Sequence, residues 1–385
     1  MVAAVRQGQS LRCVARQFRV SLRTVQVWFA RAQGQRLDRA DWSDRPRGGR
    51  RAGRATATRT EDLVLRLRQE LKESSALGEY GAAAIHRELR RRQVQPLPSV
   101  RTVGRILARR GALDGRRRTR RPPPPEGWYL PDVAAAAAEL DSFDIVEGLV
   151  IKDGPQVEVL NGVSLHGGLV ASWPVACPVT SKLTVAALLE HWRGVGLPGY
   201  AQFDNDMIFQ GTHRYPDALG RVIRLCLSLA VVPVFVPPTE MGFQAAIESY
   251  NGWWQARVLA RFQHPDLPAL QGRSRRHVRA LRQHRAARIE AAPARRAFPA
   301  DWQLDLKTRP RGRLVYLRRT NAQGEVALLG RTWRVSEVWA SRLVRCEVDL
   351  DEDKIRFFTL RRKDPTSQPR VLEVDYRLPN RGFQG

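Results

Sequence analysis

Apolar residues recur at helical spacing in the first part of the chain. Between Ser10 and Phe18 they fall at intervals of three and four, with Phe18 expected on the inner face of the helix. A second helical pattern begins after Ser21, and both serines stand where a hydroxyl can cap the first turn. Two helices joined by so short a turn predict a helix-turn-helix module in residues 1–35.

The outward face of the second helix is polar and basic. We expect its exposed positions to contact a DNA groove; they are Arg23, Thr24, Gln26 and Arg31. An ordinary helical hairpin with a solvated basic face is the alternative. The first helix is short, as it would be in a chain truncated at its N-terminus. Residues 36–58 then lose the helical pattern and gain Arg and Gly, which predicts a flexible linker.

A second helical unit is predicted for residues 59–114. Thr60 starts an amphipathic helix, a helix over residues 82–92 follows, and Ser99 caps a third. The pentapeptide that starts at Ser99 matches the one that starts at Ser21 in four of five positions. We therefore expect a second helix-turn-helix module. Its candidate DNA-contacting residues are Arg101, Thr102 and Arg105.

Residues 115–127 form the clearest boundary in the chain. Five arginines lie within residues 116–121, and Pro122 to Pro125 follow directly as a stiff spacer. Beyond this boundary, apolar segments of strand length predict three adjacent strands, a helix, a short strand, a helix, a buried strand and a last helix. This βββαβαβα order over residues 128–270 is that of a ribonuclease-H-like fold with a mixed sheet.

The remaining residues divide into two further segments. Residues 271–303 are rich in arginine and predict a basic helical connector that contacts DNA, with a solvated linking helix as the alternative. Short alternating segments in residues 304–385 predict a small all-β barrel. The predicted chain is therefore multidomain, with all-α N-terminal modules, an α/β core and an all-β C-terminal domain.

Composition narrows the possible partners. The formal charge is +27, from 65 basic and 38 acidic residues, which implies a polyanionic partner. No apolar run approaches the length of a membrane span, and the first residues do not form a secretion signal. Nucleic acid in the cytoplasm is therefore the expected partner, and the predicted helix-turn-helix modules specify double-stranded DNA. The cysteines are scattered without metal-binding spacing, so a structural zinc site is not expected.

Three acidic residues stand on separate predicted elements of the α/β segment. Asp141 lies in the first strand, Asp204 follows the short strand, and Glu248 lies on the last helix. Carboxylates are the ligands that Mg²⁺ and Mn²⁺ prefer, and two such ions can drive phosphodiester cleavage and transfer. The sequence therefore predicts a site with two divalent ions that acts on DNA.

Other acids compete for each place in this site. Asp144 lies near Asp141, but positions 141 and 144 face opposite sides of a strand, so only one can serve, and Asp141 is favoured. Asp206 could replace Asp204. Glu240 could replace Glu248, although it stands in a proline-rich loop before the helix.

Three motifs resemble those of bacterial insertion-sequence transposases, DDE enzymes with a retroviral-integrase-type catalytic core. They are Leu140-Asp141-Ser142-Phe143, then Phe203-Asp204-Asn205-Asp206-Met207-Ile208-Phe209, then Ile247-Glu248-Ser249-Tyr250-Asn251. The resemblance covers residues 1 to about 345. It implies DNA cleavage and strand transfer with two Mg²⁺ held by Asp141, Asp204 and Glu248. It also implies binding to terminal inverted repeats, homo-oligomers on DNA, and a bacterial, nucleoid-associated location.

The chain departs from the family pattern in three places. Asp206 replaces the usual glycine, and 44 residues separate Asp204 from Glu248, more than is usual. Gln255 replaces a usual basic residue, so Arg257 or Arg261 is the expected DNA contact. A catalytically inactive derivative that binds DNA as a repressor or end-binding factor is the main alternative. A structure-specific nuclease is disfavoured, because two recognition modules imply that DNA sequence is recognised.

Overall fold

The computed structural model describes residues 1–44, 56–113, 126–151, 154–176, 178–212, 215–240 and 242–379. The chain divides into two compact units, Met1–Glu61 and Asp62–Gly385. Part of the linker predicted at 36–58 and most of the one at 115–127 lie outside the described residues. Among the residues that are described, no helix combines the length and apolar character needed to cross a membrane.

The first unit contains helices α1 (Val2–Arg6), α2 (Leu11–Gln17) and α3 (Leu22–Ala32). Both predicted caps are present, since the hydroxyls of Ser10 and Ser21 each accept a hydrogen bond from the backbone N–H three residues later. Val14 and Val25 are fully buried between the helices. Phe18 was expected inside but is 45% exposed, because it follows the last turn of α2, where the chain leaves the helix.

The next helices are α4 (Thr58–Ser74), α5 (Ala82–Arg91) and α6 (Val100–Arg109). They begin and end close to the predicted positions. The Ser99 hydroxyl accepts a hydrogen bond from the N–H of Thr102 at 3.2 Å, and the two hydroxyls hydrogen-bond each other. Ser21 and Thr24 make the same two contacts in α3. The two matching pentapeptides therefore form the same helix cap.

The rest of the chain is built around one large sheet. Its strands and those of a small hairpin are β1 (Leu140–Val150), β2 (Gln156–Ser164), β3 (Val170–Ala176), β4 (Tyr200–Phe203), β5 (Val232–Phe235), β6 (Arg313–Arg319), β7 (Glu325–Leu328), β8 (Arg331–Arg334), β9 (Leu343–Asp349), β10 (Lys354–Thr359) and β11 (Arg370–Asp375). The helices are α7 (Pro131–Ala134), α8 (Ser181–Val195), α9 (Met207–Gln210), α10 (Arg221–Ser228), α11 (Ala245–Trp254), α12 (Leu267–His284) and α13 (Ala286–Glu290). A π-helical turn (Gln255–Leu259) follows α11 directly, and a 3-10 turn (Glu337–Trp339) precedes β9.

In the described residues, the large sheet has the strand order β11-β10-β9-β6-β5-β4-β1-β2-β3, and β7 pairs with β8. Strands β1, β2 and β3 are antiparallel neighbours, whereas β4 and β5 run parallel to β1. The predicted order βββαβαβα is confirmed, with α9 as an additional short helix. This mixed sheet is compatible with the predicted ribonuclease-H-like core.

Strand β1 separates two apolar clusters. Phe143 and Ile145 pack in the same cluster as Trp192 of α8. Val146 packs in a different cluster, with Tyr250 of α11. Because successive strand residues point to opposite faces, α8 and α11 cover opposite sides of the sheet here.

The C-terminal strands do not form the separate barrel that the sequence predicted. Strand β6 pairs parallel to β5, and β9, β10 and β11 extend the same sheet. Leu314 and Tyr316 of β6 lie in one apolar cluster, and Val315 and Leu317 lie in another. A strand that is buried on both faces belongs inside a covered sheet. The arginines at the ends of β6 suggested an exposed strand, so burial of both of its faces was not predicted from the sequence.

Candidate active site

Asp144 and Asp204 meet where β1 and β4 run side by side. In that parallel pair, Asp141 lies beside Ala201 and Ser142 lies beside Gln202. Extending this register by two residues puts Asp144 next to Asp204, which follows the last residue of β4. Both side chains are partly buried. The polar edge of these two strands is therefore acidic.

Helix α11 carries Glu248 over the same face of the sheet. Asn251, one turn after Glu248, is 7% exposed and donates a hydrogen bond from Nδ2 to Asp144 Oδ2 at 2.7 Å. Residues three apart on a helix share a face, so Glu248 lies on the same side of α11 as Asn251. Glu248 itself is exposed. One face of α11 thus brings an amide and a third carboxylate to the acidic edge.

Burial and like charge both act on these acids. Burial, together with the negative charges of Asp204 and Glu248, raises the pKa of Asp144 to about 6. The hydrogen bond from Asn251 opposes that rise. Burial also raises the pKa of Asp204. A hydrogen bond from the backbone N–H of Asp206 opposes that rise, and the negative charges of Asp206 and Glu147 add to it. Like charges raise carboxyl pKa values when no cation balances them, so this edge attracts positive charge.

Asp141 lies on the opposite face and has a different role. It is 1% exposed and forms a two-point ion pair with Arg295, at 2.9 Å to Oδ1 and 2.5 Å to Oδ2. Trp192 of α8 donates a further hydrogen bond from Nε1 to Oδ2 at 3.1 Å. The structure therefore corrects the expected placement of the first acid: Asp144, and not Asp141, lies on the face of the sheet that carries Asp204 and Glu248.

The other two alternatives have contacts of their own. Asp206 caps α9, accepting a hydrogen bond at 2.7 Å from the N–H of Ile208. Glu240 forms ion pairs with Arg319 of β6 and with Arg362. A helix cap and a paired glutamate are less available to a cation than Asp204 and Glu248.

The donor set of this edge suits a hard divalent cation. Two carboxylates and a neighbouring glutamate offer the oxygen ligands that Mg²⁺ and Mn²⁺ prefer. Burial and nearby negative charge raise the pKa of Asp144 and of Asp204, so a cation at this edge would be stabilised. Among the described residues, however, no three His, Cys, Asp or Glu side chains are close enough together to hold one ion. Glu248 is the exposed member, so a shared ion would require its side chain to turn inward.

The predicted DNA-contacting residues of α3 do not all remain available. Arg23 and Gln26 are exposed. The Thr24 hydroxyl is hydrogen-bonded to that of Ser21 in the helix cap. Arg31 lies 4.6 Å from the ring centre of Trp28 and donates to the backbone oxygen of Ser43 at 3.2 Å. Arg31 therefore holds the segment after α3, which leaves Arg23 and Gln26 as the exposed candidates.

On α6, Arg101 and Arg105 are exposed, whereas Thr102 takes part in the helix cap. Arg101 and Arg105 lie one turn apart on the same helix face. This arrangement leaves two guanidinium groups next to each other on the surface of the second helical unit.

Arg257 has a protein contact in place of the expected DNA contact. It forms an ion pair with Glu79 at 3.5 Å, and its side chain is 23% exposed. Arg261, one turn later, donates to the backbone oxygens of Leu71 and Ser75, at 2.7 and 3.3 Å. Both arginines therefore attach the end of α4 and the following loop to the segment that continues α11. Their spacing from Glu248 could not distinguish this role from DNA binding.

The basic connector likewise contacts protein. Arg282 donates to the backbone oxygen of Val170 at 2.8 Å, and Arg285 donates to that of Gly168 at 2.6 Å. Arg288 donates to the backbone oxygens of His166 and Leu165. These contacts satisfy carbonyl groups at the start of β3 and in the loop before it. These three arginines therefore have structural roles, and DNA contact by the rest of the connector stays a prediction.

Arg295 and Asn161 are not among the residues predicted from the sequence. Arg295 follows the connector helices, 154 residues after Asp141, and nothing in its local pattern indicates a partner in β1. Asn161 is an amide inside an otherwise apolar strand, and it is completely buried. A polar residue in a buried strand must find a hydrogen-bonding partner, so Asn161 was a detectable signal.

No family model matches the sequence, and no curated protein matches it. Solved structures with a similar fold include the catalytic core domain of BIV integrase, with 16% identity over 37% of this chain and 83% of that one, at a TM-score of 0.29. The HTLV-2 integrase catalytic core domain in complex with magnesium is 18% identical over 37% of this chain and 86% of that one, at a TM-score of 0.29. A chain of a simian T-cell lymphotropic virus intasome is 14% identical over 76% of this chain and 95% of that one, at a TM-score of 0.36. At these TM-scores the likeness supports no conclusion about activity.

Proposed function

We propose that this chain is a bacterial DDE transposase that cleaves the ends of a mobile DNA element and joins them to target DNA. The observation that carries the proposal is the set of carboxylates at Asp144, Asp204 and Glu248, whose charges raise the pKa of Asp144. The motifs around these residues and the net charge of +27 support the same function. The proposed triad keeps Asp204 and Glu248 and replaces Asp141 with Asp144.

Each residue has a distinct task in this proposal. Asp144 and Asp204 form the fixed part of the site, because strands β1 and β4 hold them in register. Asn251 orients Asp144 through its hydrogen bond, and Glu248 completes the site from α11. These acids would hold two divalent ions, which activate an attacking oxygen and stabilise the departing one.

Two phosphodiester exchanges follow from this assignment. In the first, water attacks the phosphorus at the element end, and a 3′-hydroxyl departs. In the second, that hydroxyl attacks a phosphorus of the target DNA and displaces a 3′-oxygen of the target strand. Neither exchange requires an intermediate covalently bound to protein.

The helical units supply the candidate DNA contacts. We propose that Arg23 and Gln26 on α3, and Arg101 and Arg105 on α6, contact the terminal inverted repeats, since all four are exposed. Joining two ends calls for more than one copy of the chain on the DNA. A bacterial cytoplasm, in association with the nucleoid, is the location that this function implies.

A second candidate is a DNA-binding protein that does not catalyse. The observation in its favour is Asp206, which adds a negative charge beside Asp204 where the family pattern has glycine. Such a protein would bind element ends as a repressor or end-binding factor.

A strand-transfer assay separates the two functions. Labelled terminal-repeat DNA would be incubated with the full chain and Mn²⁺, beside Asp144→Asn, Asp204→Asn and Glu248→Gln. The matched control is Glu240→Gln, which changes a competing glutamate held by Arg319 and Arg362. Joined product from the wild type and the control, and none from the three site variants, would establish the enzyme. Sequence-selective binding without cleavage or joining by any version would leave the DNA-binding protein.

A further inference from the structure

A row of buried polar groups leads from Asp144 across three strands. Asp144 of β1 lies opposite Asn161 of β2, and Asn161 lies opposite Ser172 of β3. Residues opposite each other in neighbouring strands point to the same face of a sheet. Helix α11 lies over that face and contributes Asn251 and Tyr250. The row therefore lies beneath the helix that carries Glu248.

Four hydrogen bonds connect these groups without a gap. Asn251 donates to Asp144 at 2.7 Å and accepts from Asn161 Nδ2 at 2.9 Å. Ser172 Oγ donates to Asn161 Oδ1 at 2.6 Å and lies 2.7 Å from the Tyr250 hydroxyl. Ser172 has a single hydroxyl proton, which it gives to Asn161, so Tyr250 must be the donor in the last contact. All four hydrogen bonds of the row are thus donated in the direction of Asp144.

Packing alone does not require these polar groups. Asn161 and Tyr250 are 0% and 1% exposed, and the neighbouring side chains Val159, Val163 and Trp254 form an apolar cluster. Burying amides and hydroxyls is unfavourable unless all of them are hydrogen-bonded, whereas apolar side chains would fill the same space without that requirement. A continuous row of hydrogen-bonded polar groups that ends on a carboxylate is therefore expected to fix the position of that carboxylate.

We propose that Asn161, Ser172 and Tyr250 are positioning residues that fix the amide of Asn251 and, through it, the Asp144 carboxylate. This inference rests on the proposed function of Asp144 as a metal ligand. Because Ser172 donates to Asn161 Oδ1, the NH₂ group of Asn161 faces Asn251. Asn251 then turns its oxygen to Asn161 and its NH₂ group to Asp144. Loss of the Ser172 proton lets both amides rotate and put a carbonyl oxygen against the carboxylate.

The test measures Mn²⁺ binding to the full chain by titration calorimetry, without DNA and without turnover. Ser172→Ala should weaken Mn²⁺ binding about tenfold, a typical effect of losing a group that orients a metal ligand. Ser172→Thr keeps the hydroxyl and should restore the wild-type affinity. Tyr250→Phe removes the first donor in the row and should weaken Mn²⁺ binding by a smaller factor.

Tyr376→Phe is the matched control. Its hydroxyl also lies in a buried environment and bonds a carboxylate, that of Asp217, at 3.0 Å. This variant should lose thermal stability as Tyr250→Phe does, but it should bind Mn²⁺ like the wild type. Equal Mn²⁺ affinity in Ser172→Ala and the wild type, or equal weakening in Tyr250→Phe and Tyr376→Phe, would overturn the positioning role.

A second measurement separates this inference from the proposed function. The side-chain NH₂ signals of Asn251 in an NMR spectrum report its orientation whether or not metal binds. Ser172→Ala should shift or broaden them, and Tyr376→Phe should leave them unchanged. If the wild type bound no Mn²⁺ but Ser172→Ala still changed the Asn251 NH₂ signals, the metal site would be refuted and the orienting role of the row would stand. Unchanged signals in Ser172→Ala would refute the row itself.

Discussion

Two aspartates three residues apart on β1 occupy opposite faces of the sheet and have opposite surroundings. Asp141, beneath α8, is enclosed by Arg295 and Trp192, which together supply three hydrogen bonds. Asp144, beneath α11, receives a hydrogen bond from the neutral amide of Asn251 and is exposed to the negative charges of Asp204 and Glu248. The first carboxylate has its cation within the protein. No cation is among the main causes of the pKa shift of Asp144, so Asp144 is the carboxylate that is available to a metal ion.

The comparison shows that burial alone does not identify a candidate metal ligand. Asp141 is the more buried of the two, at 1% exposure, and yet its contacts complete the fold. Asp144 is less buried, but burial and like charges raise its pKa to about 6. Perturbed carboxyls of this kind concentrate at functional sites. The balance of surrounding charge, more than depth, separates a structural acid from a candidate ligand.

The largest expected difference between the two faces is in stability. Asp141→Asn leaves Arg295 buried without its counter-charge, so the free energy of unfolding should fall by about 3–5 kcal/mol. Asp144→Asn removes a repelled charge, so in metal-free protein at pH 7 it should raise the free energy of unfolding by about 1–2 kcal/mol. Urea unfolding of both variants measures the difference.

The double variant Asp141→Asn with Arg295→Gln is the control for that prediction. It removes both charges, so it should recover much of the stability that Asp141→Asn loses. Equal stability of Asp141→Asn and Asp144→Asn would contradict the division between a structural and a functional face.

Much of this architecture follows from local sequence. The caps at Ser10, Ser21 and Ser99 form because each serine precedes a helical apolar pattern. The order of elements in the core follows from strand-length and helix-length apolar segments. Asp204 and Glu248 could be proposed as site residues from the sequence. Asp204 directly follows a predicted strand, Glu248 lies on a predicted helix, and each stands in a distinctive motif.

The choice between Asp141 and Asp144 could not be made locally. Alternation along β1 shows that the two acids face opposite sides, but not which side α11 covers. The decisive partners are distant in sequence: Arg295 for Asp141 and Asn251 for Asp144. The same limitation explains the barrel prediction, because only the pairing of β6 with β5 reveals that the C-terminal strands extend the sheet.

The face that holds Asp141 should be sensitive to acid through His191. Burial lowers the pKa of His191 to about 4, partly offset by the charge of Asp141. The unfolded chain takes up this proton near pH 6.5, so the folded chain binds fewer protons between the two values. Stability from this group is complete above pH about 6.5 and is lost as the pH falls, by about 2–3 kcal/mol. Thermal melting of the wild type and His191→Gln from pH 7 to 4 should show a smaller loss in the variant. Parallel curves would contradict the assignment.

The face that holds Asp144 should show the opposite dependence. The folded chain keeps the Asp144 proton up to a pKa of about 6, whereas the unfolded chain releases it near pH 4. The free energy of unfolding therefore decreases as the pH rises between these values, by about 1–2 kcal/mol. Asp144→Asn should lack this component, which appears as the difference between the two melting curves. Mn²⁺ at pH 7 should stabilise the wild type more than the variant. A difference of the other sign would place Asp144 near a cation.

The smallest expected effect concerns the acids that surround Asp144. Asp204→Asn removes the stronger of the two like charges acting on Asp144, so it should lower the Asp144 pKa by no more than about one unit, because burial is the larger cause. Glu248→Gln should lower it less, since Glu248 is exposed and its effect is screened by water.

Carbon-13 NMR titration of the Asp144 carboxyl measures both shifts. Glu240→Gln, on a glutamate held by Arg319 and Arg362, should produce no shift. If Glu248→Gln lowered the pKa more than Asp204→Asn, Glu248 would lie closer to Asp144 in solution than Asp204 does. The acids would then already be gathered before any metal binds.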